Sequence, residues 1–135
     1  MVISCKRIDN VFWSENNGGA WAVISGNYKI SDLGMNYIGH LTGICSENSM
    51  DCGYYELHNY LLQWEEKLLT ENLKTLGRDN NGVPFLGWYA ANGTHKGIAK
   101  YSGNTLNFLN EGLPNQNIND ITSDDDIVGG SVVYC

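Results

Sequence analysis

The sequence lacks the long apolar run that a membrane-spanning helix requires. No stretch of the 135 residues approaches the roughly 20 apolar residues needed to cross a bilayer. Basic residues are also scarce, with 8 Lys and Arg against 15 Asp and Glu and a net charge of −7. Because phosphate binding needs a basic face, this balance argues against nucleic acid as a partner. An acidic chain suits a basic protein partner instead.

Signals for export and for metal binding are also missing. The first residues have no charged region followed by an apolar stretch, so they do not form a signal peptide. Cys45 and Cys52 lack the short spacing of a zinc-binding pair, and no histidine pair accompanies them. We therefore expect neither a metal ion nor a cofactor.

Four cysteines are present, and they allow three pairings if all of them form disulfides. The simplest scheme joins Cys5 to Cys135, because chain termini often meet in a compact domain, and Cys45 to Cys52 across a polar loop. Disulfides form in oxidising compartments, so this pattern favours a secreted or periplasmic protein.

The length and the apolar content of 42% predict a single domain, residues 1–135, with one hydrophobic core. Segments 11–14 and 20–25 flank a turn rich in asparagine and glycine and predict a β-hairpin. Residues 14–21 also resemble the Asp-box hairpin of sialidases, which is a folding element. Further strands are predicted at 84–91, 97–101, 105–109 and 131–134.

One segment has the spacing of a long helix. Leu57, Leu61, Trp64 and Leu68 recur every three or four residues and predict a helix over 54–76. The sequence shows no convincing internal repeat. The expected fold is therefore α+β, with one long helix packed on an antiparallel sheet.

Two short motifs suggest chemistry. Asp51-Cys52-Gly53 before the predicted helix, and His95 on a later strand, resemble the catalytic segments of NlpC-type papain-like cell-wall cysteine peptidases. The resemblance covers residues 51–108 and implies that Cys52 is the nucleophile, His95 the base and Asn107 the residue that orients the base. It also implies a peptide substrate in the stems of peptidoglycan. A helix N-terminus would favour the thiolate of Cys52.

Other classes of function stay open on the same residues. Cys52 could instead form a disulfide with Cys45, and a bridged cysteine cannot attack a substrate. The acidic charge also fits a non-enzymatic binding protein, such as an inhibitor or an immunity protein that neutralises a basic toxin. A third alternative is a disulfide-stabilised secreted or surface carbohydrate-binding domain, in which aromatic residues such as Trp21 and Trp88 stack on sugars.

Overall fold

The computed structural model of the chain shows strands and no helix in the residues that it describes. These are residues 2–5, 10–14, 18–24, 29–36, 38, 40–45, 52–58, 63–89, 96–123 and 131–134. None of them belongs to a helix that is long and apolar enough to span a membrane. The strands are β1 (Val2–Cys5), β2 (Asn10–Trp13), β3 (Ala22–Ile24), β4 (Ile30–Met35), β5 (Leu41–Cys45), β6 (Gly53–His58), β7 (Gln63–Leu69), β8 (Leu73–Arg78), β9 (Pro84–Trp88), β10 (Ile98–Ser102), β11 (Thr105–Phe108), β12 (Asp120–Ser123) and β13 (Ser131–Tyr134).

The described strands form four antiparallel sheets, and each sheet is a meander of consecutive strands. The first contains β1 to β3, the second β4 to β7, the third β8 to β11, and the fourth β12 and β13. The hairpin of β2 and β3 confirms the prediction for segments 11–14 and 20–25. Strands β9, β10, β11 and β13 lie where strands were predicted.

The sheets pack face to face in sequence order, with one apolar cluster between each pair. Val11 and Ile24 of the first sheet meet Ile30 and Trp64 of the second. The next cluster joins the second and third sheets, and a third cluster joins β9, β10 and β12. The first strands of the sheets are neighbours, because β4 lies against β1 and β8, and β8 lies against β12. Successive meanders packed in this way are typical of β-propeller blades.

The first strands carry a structural repeat that the sequence analysis missed. The side chain of Asp32 in β4 accepts a hydrogen bond from the backbone N–H of Leu76 in β8, at 3.0 Å. The hydroxyl of Thr75 in β8 accepts one from the N–H of Ile121 in β12, at 3.2 Å. The same link thus joins two successive pairs of sheets. This repeat is hard to recognise in the sequence, because the side chain that accepts the hydrogen bond is an aspartate in β4 and a threonine in β8.

The predicted helix over 54–76 is wrong, and so is the α+β fold class. Its described residues form β6 and β7, a turn, and the first part of β8, while residues 59–62, with Leu61, lie outside the described part of the chain. A helix would place Trp64 and Leu68 on one face, but the structure places them in different apolar clusters. The cause is a β-bulge, since Tyr54 pairs with Leu68 and Tyr55 with Glu66. The extra residue shifts the alternation of side chains along β7, so Trp64 and Leu68, four residues apart, face different clusters.

The charged residues of this segment also favoured the helix prediction. Glu65, Glu66 and Lys67 lie on β7, which is the last strand of its sheet. Charged side chains are common on such edge strands, because they face water and discourage pairing with other chains.

Candidate functional site

Cys52 lies in a disulfide rather than at the start of a helix. Cys45 ends β5, Cys52 immediately precedes β6, and their sulfur atoms are bonded, with the Cα atoms 4.9 Å apart. Both residues are buried in the cluster between the first and second sheets. The predicted Cys45–Cys52 pairing is therefore confirmed. The proposed activation of Cys52 by a helix N-terminus is wrong, because the described residues that follow it, Gly53–His58, form strand β6.

The other residues of the peptidase hypothesis are not assembled around Cys52 by the described structure. Asn107 lies on the exposed face of β11, opposite Lys100, in a different sheet from Cys52. His95 and Cys135 lie outside the described residues, as does the side chain of Cys5. The catalytic roles of His95 and Asn107 and the Cys5–Cys135 disulfide therefore remain predictions.

The aromatic residues suggested for sugar stacking are not all available to a ligand. Trp88 is only 1% exposed, and its indole N–H donates to the hydroxyl of Thr70 at 3.2 Å. Lys96 lies over the Trp88 ring, 5.9 Å from its centroid. Trp88 is therefore a core residue, whereas Trp21 is 42% exposed.

A cleft opens where the first strands of three sheets meet. We call it the central cleft; its volume is about 330 Å³. Most of its lining comes from β4, β8 and β12, with contributions from the turns that follow β4 and β8. Its polar side chains are those of Asp32, Asn36, Thr42, Tyr54, Arg78, Asp120 and Thr122. These residues are far apart in sequence and share no recognisable motif, so the sequence analysis did not group them into one site.

Two carboxylates give the central cleft an acidic character. Asp32 accepts hydrogen bonds from the backbone N–H groups of Leu33 and Leu76, at 2.9 and 3.0 Å. Burial raises the pKa of Asp32, the two backbone hydrogen bonds oppose the rise, and the nearby Asp120 adds to it. Asp120 is exposed and accepts a hydrogen bond from Thr75 at 3.1 Å. Asp32 thus stabilises the contact between β4 and β8, whereas Asp120 forms a hydrogen bond within the fold and is also exposed to solvent.

Asn36 is the most buried amide of the central cleft, with 6% of its surface exposed. Its carboxamide oxygen accepts hydrogen bonds from the backbone N–H groups of Ile38 and His40, at 3.1 and 2.9 Å. Because two donors face the oxygen, the amide orientation is fixed, and the nitrogen must point the other way. Asn36 therefore offers a rigidly held donor.

The described residues contain no group of three or more His, Cys, Asp or Glu side chains arranged to hold a metal ion. The central cleft is lined by amide, hydroxyl, carboxylate and guanidinium groups, all of which can form hydrogen bonds.

Comparison with known proteins gives one informative match. No protein-family model and no curated protein matches the chain. The chain resembles a solved structure described as an auxiliary nutrient binding protein from Bacteroides ovatus ATCC 8483, with a TM-score of 0.64 and 14% sequence identity. The match covers 89% of this chain, and the chain spans 32% of the length of that protein. At this identity the likeness shows a shared fold.

Proposed function

We propose that the chain is a non-enzymatic binding domain that holds a small neutral ligand rich in hydroxyl groups, such as a sugar, in the central cleft. The observation that carries the proposal is the polar lining contributed by three successive sheets. A sugar hydroxyl both donates and accepts, so it can bind a carboxylate and an amide or guanidinium at once. Binding sites usually combine such a few placed polar groups with a preformed concavity.

The charge of the cleft favours a neutral ligand. Asp32 and Asp120 would repel an anion, and Arg78 offsets part of the attraction that the two carboxylates have for a cation. The structural neighbour is described as a nutrient binding protein, which supports a binding role for this fold as well. The disulfide supports the proposed secreted or periplasmic location, because disulfides persist in oxidising compartments.

The peptidase hypothesis receives less support. Cys52 has no thiol while it is bonded to Cys45, so it cannot act as a nucleophile in this state. Action on peptidoglycan and binding of a basic protein toxin remain predictions.

The test is a calorimetric titration with neutral sugars. Wild-type protein should bind at least one of glucose, galactose, mannose, xylose or their disaccharides. Asp120→Asn keeps an oxygen for Thr75 but removes the charge, so affinity should fall about ten-fold, the difference between a charged and a neutral hydrogen bond.

Glu111→Gln is the matched control, because Glu111 is exposed and does not line the central cleft. It should leave affinity unchanged. Failure of every sugar to bind, or equal losses in the two variants, would contradict the proposal.

A further inference from the structure

A turn of identical design follows the first strand of the second and third sheets. After β4, the oxygen of Asn36 accepts from the N–H groups of Ile38 and His40. After β8, the Oδ1 atom of Asp79 accepts from the N–H groups of Asn81 and Val83, both at 2.9 Å. The backbone bond across the turn is also repeated, from Asn36 to His40 and from Asp79 to Val83. Asn36 and Asp79 are therefore equivalent residues.

The two residues that face these turns also occupy equivalent positions in their sheets, but they carry opposite charges. In the third sheet, Lys100 on β10 stands opposite Phe85 and donates to the Oδ2 atom of Asp79 at 2.7 Å. In the second sheet, the corresponding position on β6 is Glu56, opposite Thr42. Where the third sheet has the ion pair of Asp79 and Lys100, the second sheet therefore has the amide of Asn36 and the carboxylate of Glu56.

A second cavity lies where this replacement occurs. We call it the outer cavity; its volume is about 290 Å³, and both Asn36 and Glu56 line it. The hydroxyl of Tyr54 donates to one carboxylate oxygen of Glu56, at 2.8 Å, which leaves the second oxygen for another donor. Within the described part of the chain, no group accepts a hydrogen bond from the side-chain nitrogen of Asn36, although the residue is more than nine-tenths buried.

The two cavities are adjacent. Asn36, Gly82 and Pro84 line both of them, so one ligand can extend from the central cleft into the outer cavity. The outer cavity also has an apolar wall, in which Ile38 is 54% exposed. Lys67 adds a positive charge to its lining and pairs with Glu65 at 2.9 Å.

We propose that the outer cavity is a subsite for a second sugar unit, so that the preferred ligand is a neutral disaccharide or a longer saccharide. One hydroxyl would donate to Glu56 and another would accept from Asn36, while the C–H face of the ring packs on Ile38. This inference rests on the proposed function, because it extends the ligand of the central cleft.

The experiment compares each monosaccharide with its disaccharides by calorimetry, pairing glucose with maltose and cellobiose, galactose with lactose, and xylose with xylobiose. In the wild type, one disaccharide should bind at least about ten-fold more tightly than its monosaccharide. Glu56→Gln keeps an oxygen for Tyr54, so it should remove this advantage and leave monosaccharide affinity unchanged. Glu66→Gln, an exposed change on β7 outside the cavity, should change neither affinity.

A double variant tests whether replacement of the ion pair by Asn36 and Glu56 creates the subsite in the outer cavity. Asn36→Asp with Glu56→Lys recreates the pair that Asp79 and Lys100 form, and the turn can keep its two bonds, as it does at Asp79. The double variant should fold, as checked by circular dichroism, and should lose the preference for disaccharides.

The outcomes separate the two proposals. If monosaccharides bind but disaccharides gain nothing, or if Glu56→Gln behaves like Glu66→Gln, the subsite is wrong and the central cleft stands. If no sugar binds, the proposed function fails and the subsite fails with it.

Discussion

Asp79 shows how one carboxylate can stabilise a turn and a neighbouring strand at the same time. Its Oδ1 atom accepts two backbone N–H groups, and its Oδ2 atom accepts from Lys100. Burial by itself would raise the pKa of Asp79, but the hydrogen bonds from Lys100, Val83 and Asn81 outweigh it and lower the pKa below its ordinary value. The residue should therefore contribute stability that depends on pH.

The variant Asp79→Asn tests this contribution, because Asn36 shows that an asparagine can form the same turn. The unfolded chain binds more protons near pH 4 than the folded protein, so stability rises with pH there. The contribution is present above the unfolded pKa of about 3.9 and is lost as the pH falls through the lower folded value. Wild-type protein should thus exceed the variant in stability by up to about 1 kcal/mol at pH 7, and the difference should shrink below pH 4.

Urea unfolding at several pH values measures this difference. Glu66→Gln removes an exposed carboxylate from β7 and is the control. A constant difference between wild type and Asp79→Asn from pH 7 to pH 3 would contradict the assignment.

At the scale of elements, the sheets are linked through side chains of their first strands. Thr75 is only 2% exposed and connects β8 to β12 by accepting from Ile121 and donating to Asp120. The N–H of Ile121 has a second acceptor in Asp120, at 2.9 Å, so loss of the threonine hydroxyl does not leave it unpaired.

Thr75→Val keeps the side-chain shape and removes the hydroxyl. It should lower the free energy of unfolding by about 1–2 kcal/mol, because two hydrogen bonds are lost while Ile121 keeps a second acceptor and Asp120 is exposed to water. Thr105→Val, on the exposed face of β11, is the control and should change stability little. Equal effects in chemical denaturation would show that the link between the sheets contributes nothing.

Strands could be predicted where the residue types of a segment favour the element that the segment forms. The helix prediction failed because the residues of β6 and β7 favour a different element from the one they form. Strands β9 to β11 have aromatic or branched residues and sharp turns, and both features are visible in the sequence. In β6 and β7, apolar residues that belong to two different clusters recur at a helical spacing, and the charged residues on the edge strand strengthen that pattern. The central cleft could not be predicted, because Asp32 and Asp120 become neighbours only when three sheets pack.

At the scale of the whole molecule, the disulfide separates the binding proposal from the peptidase hypothesis. Cys45→Ala leaves Cys52 with a free thiol, and Cys52→Ala leaves Cys45 with one, so the two variants lose the same bond. Each should be less stable by roughly 2–3 kcal/mol, the chain-entropy value for so short a loop. Thermal unfolding measures this loss.

The same pair of variants tests for catalysis, since a nucleophilic Cys52 would act only when Cys45 no longer blocks it. If the chain is a binding domain, neither variant should hydrolyse peptidoglycan stem peptides, and both should still bind the sugar found for wild type, because neither cysteine lines the central cleft. Chromatographic analysis of the peptides after incubation gives the answer. Hydrolysis by Cys45→Ala and none by Cys52→Ala would restore the peptidase, because only the position of the free thiol differs between them.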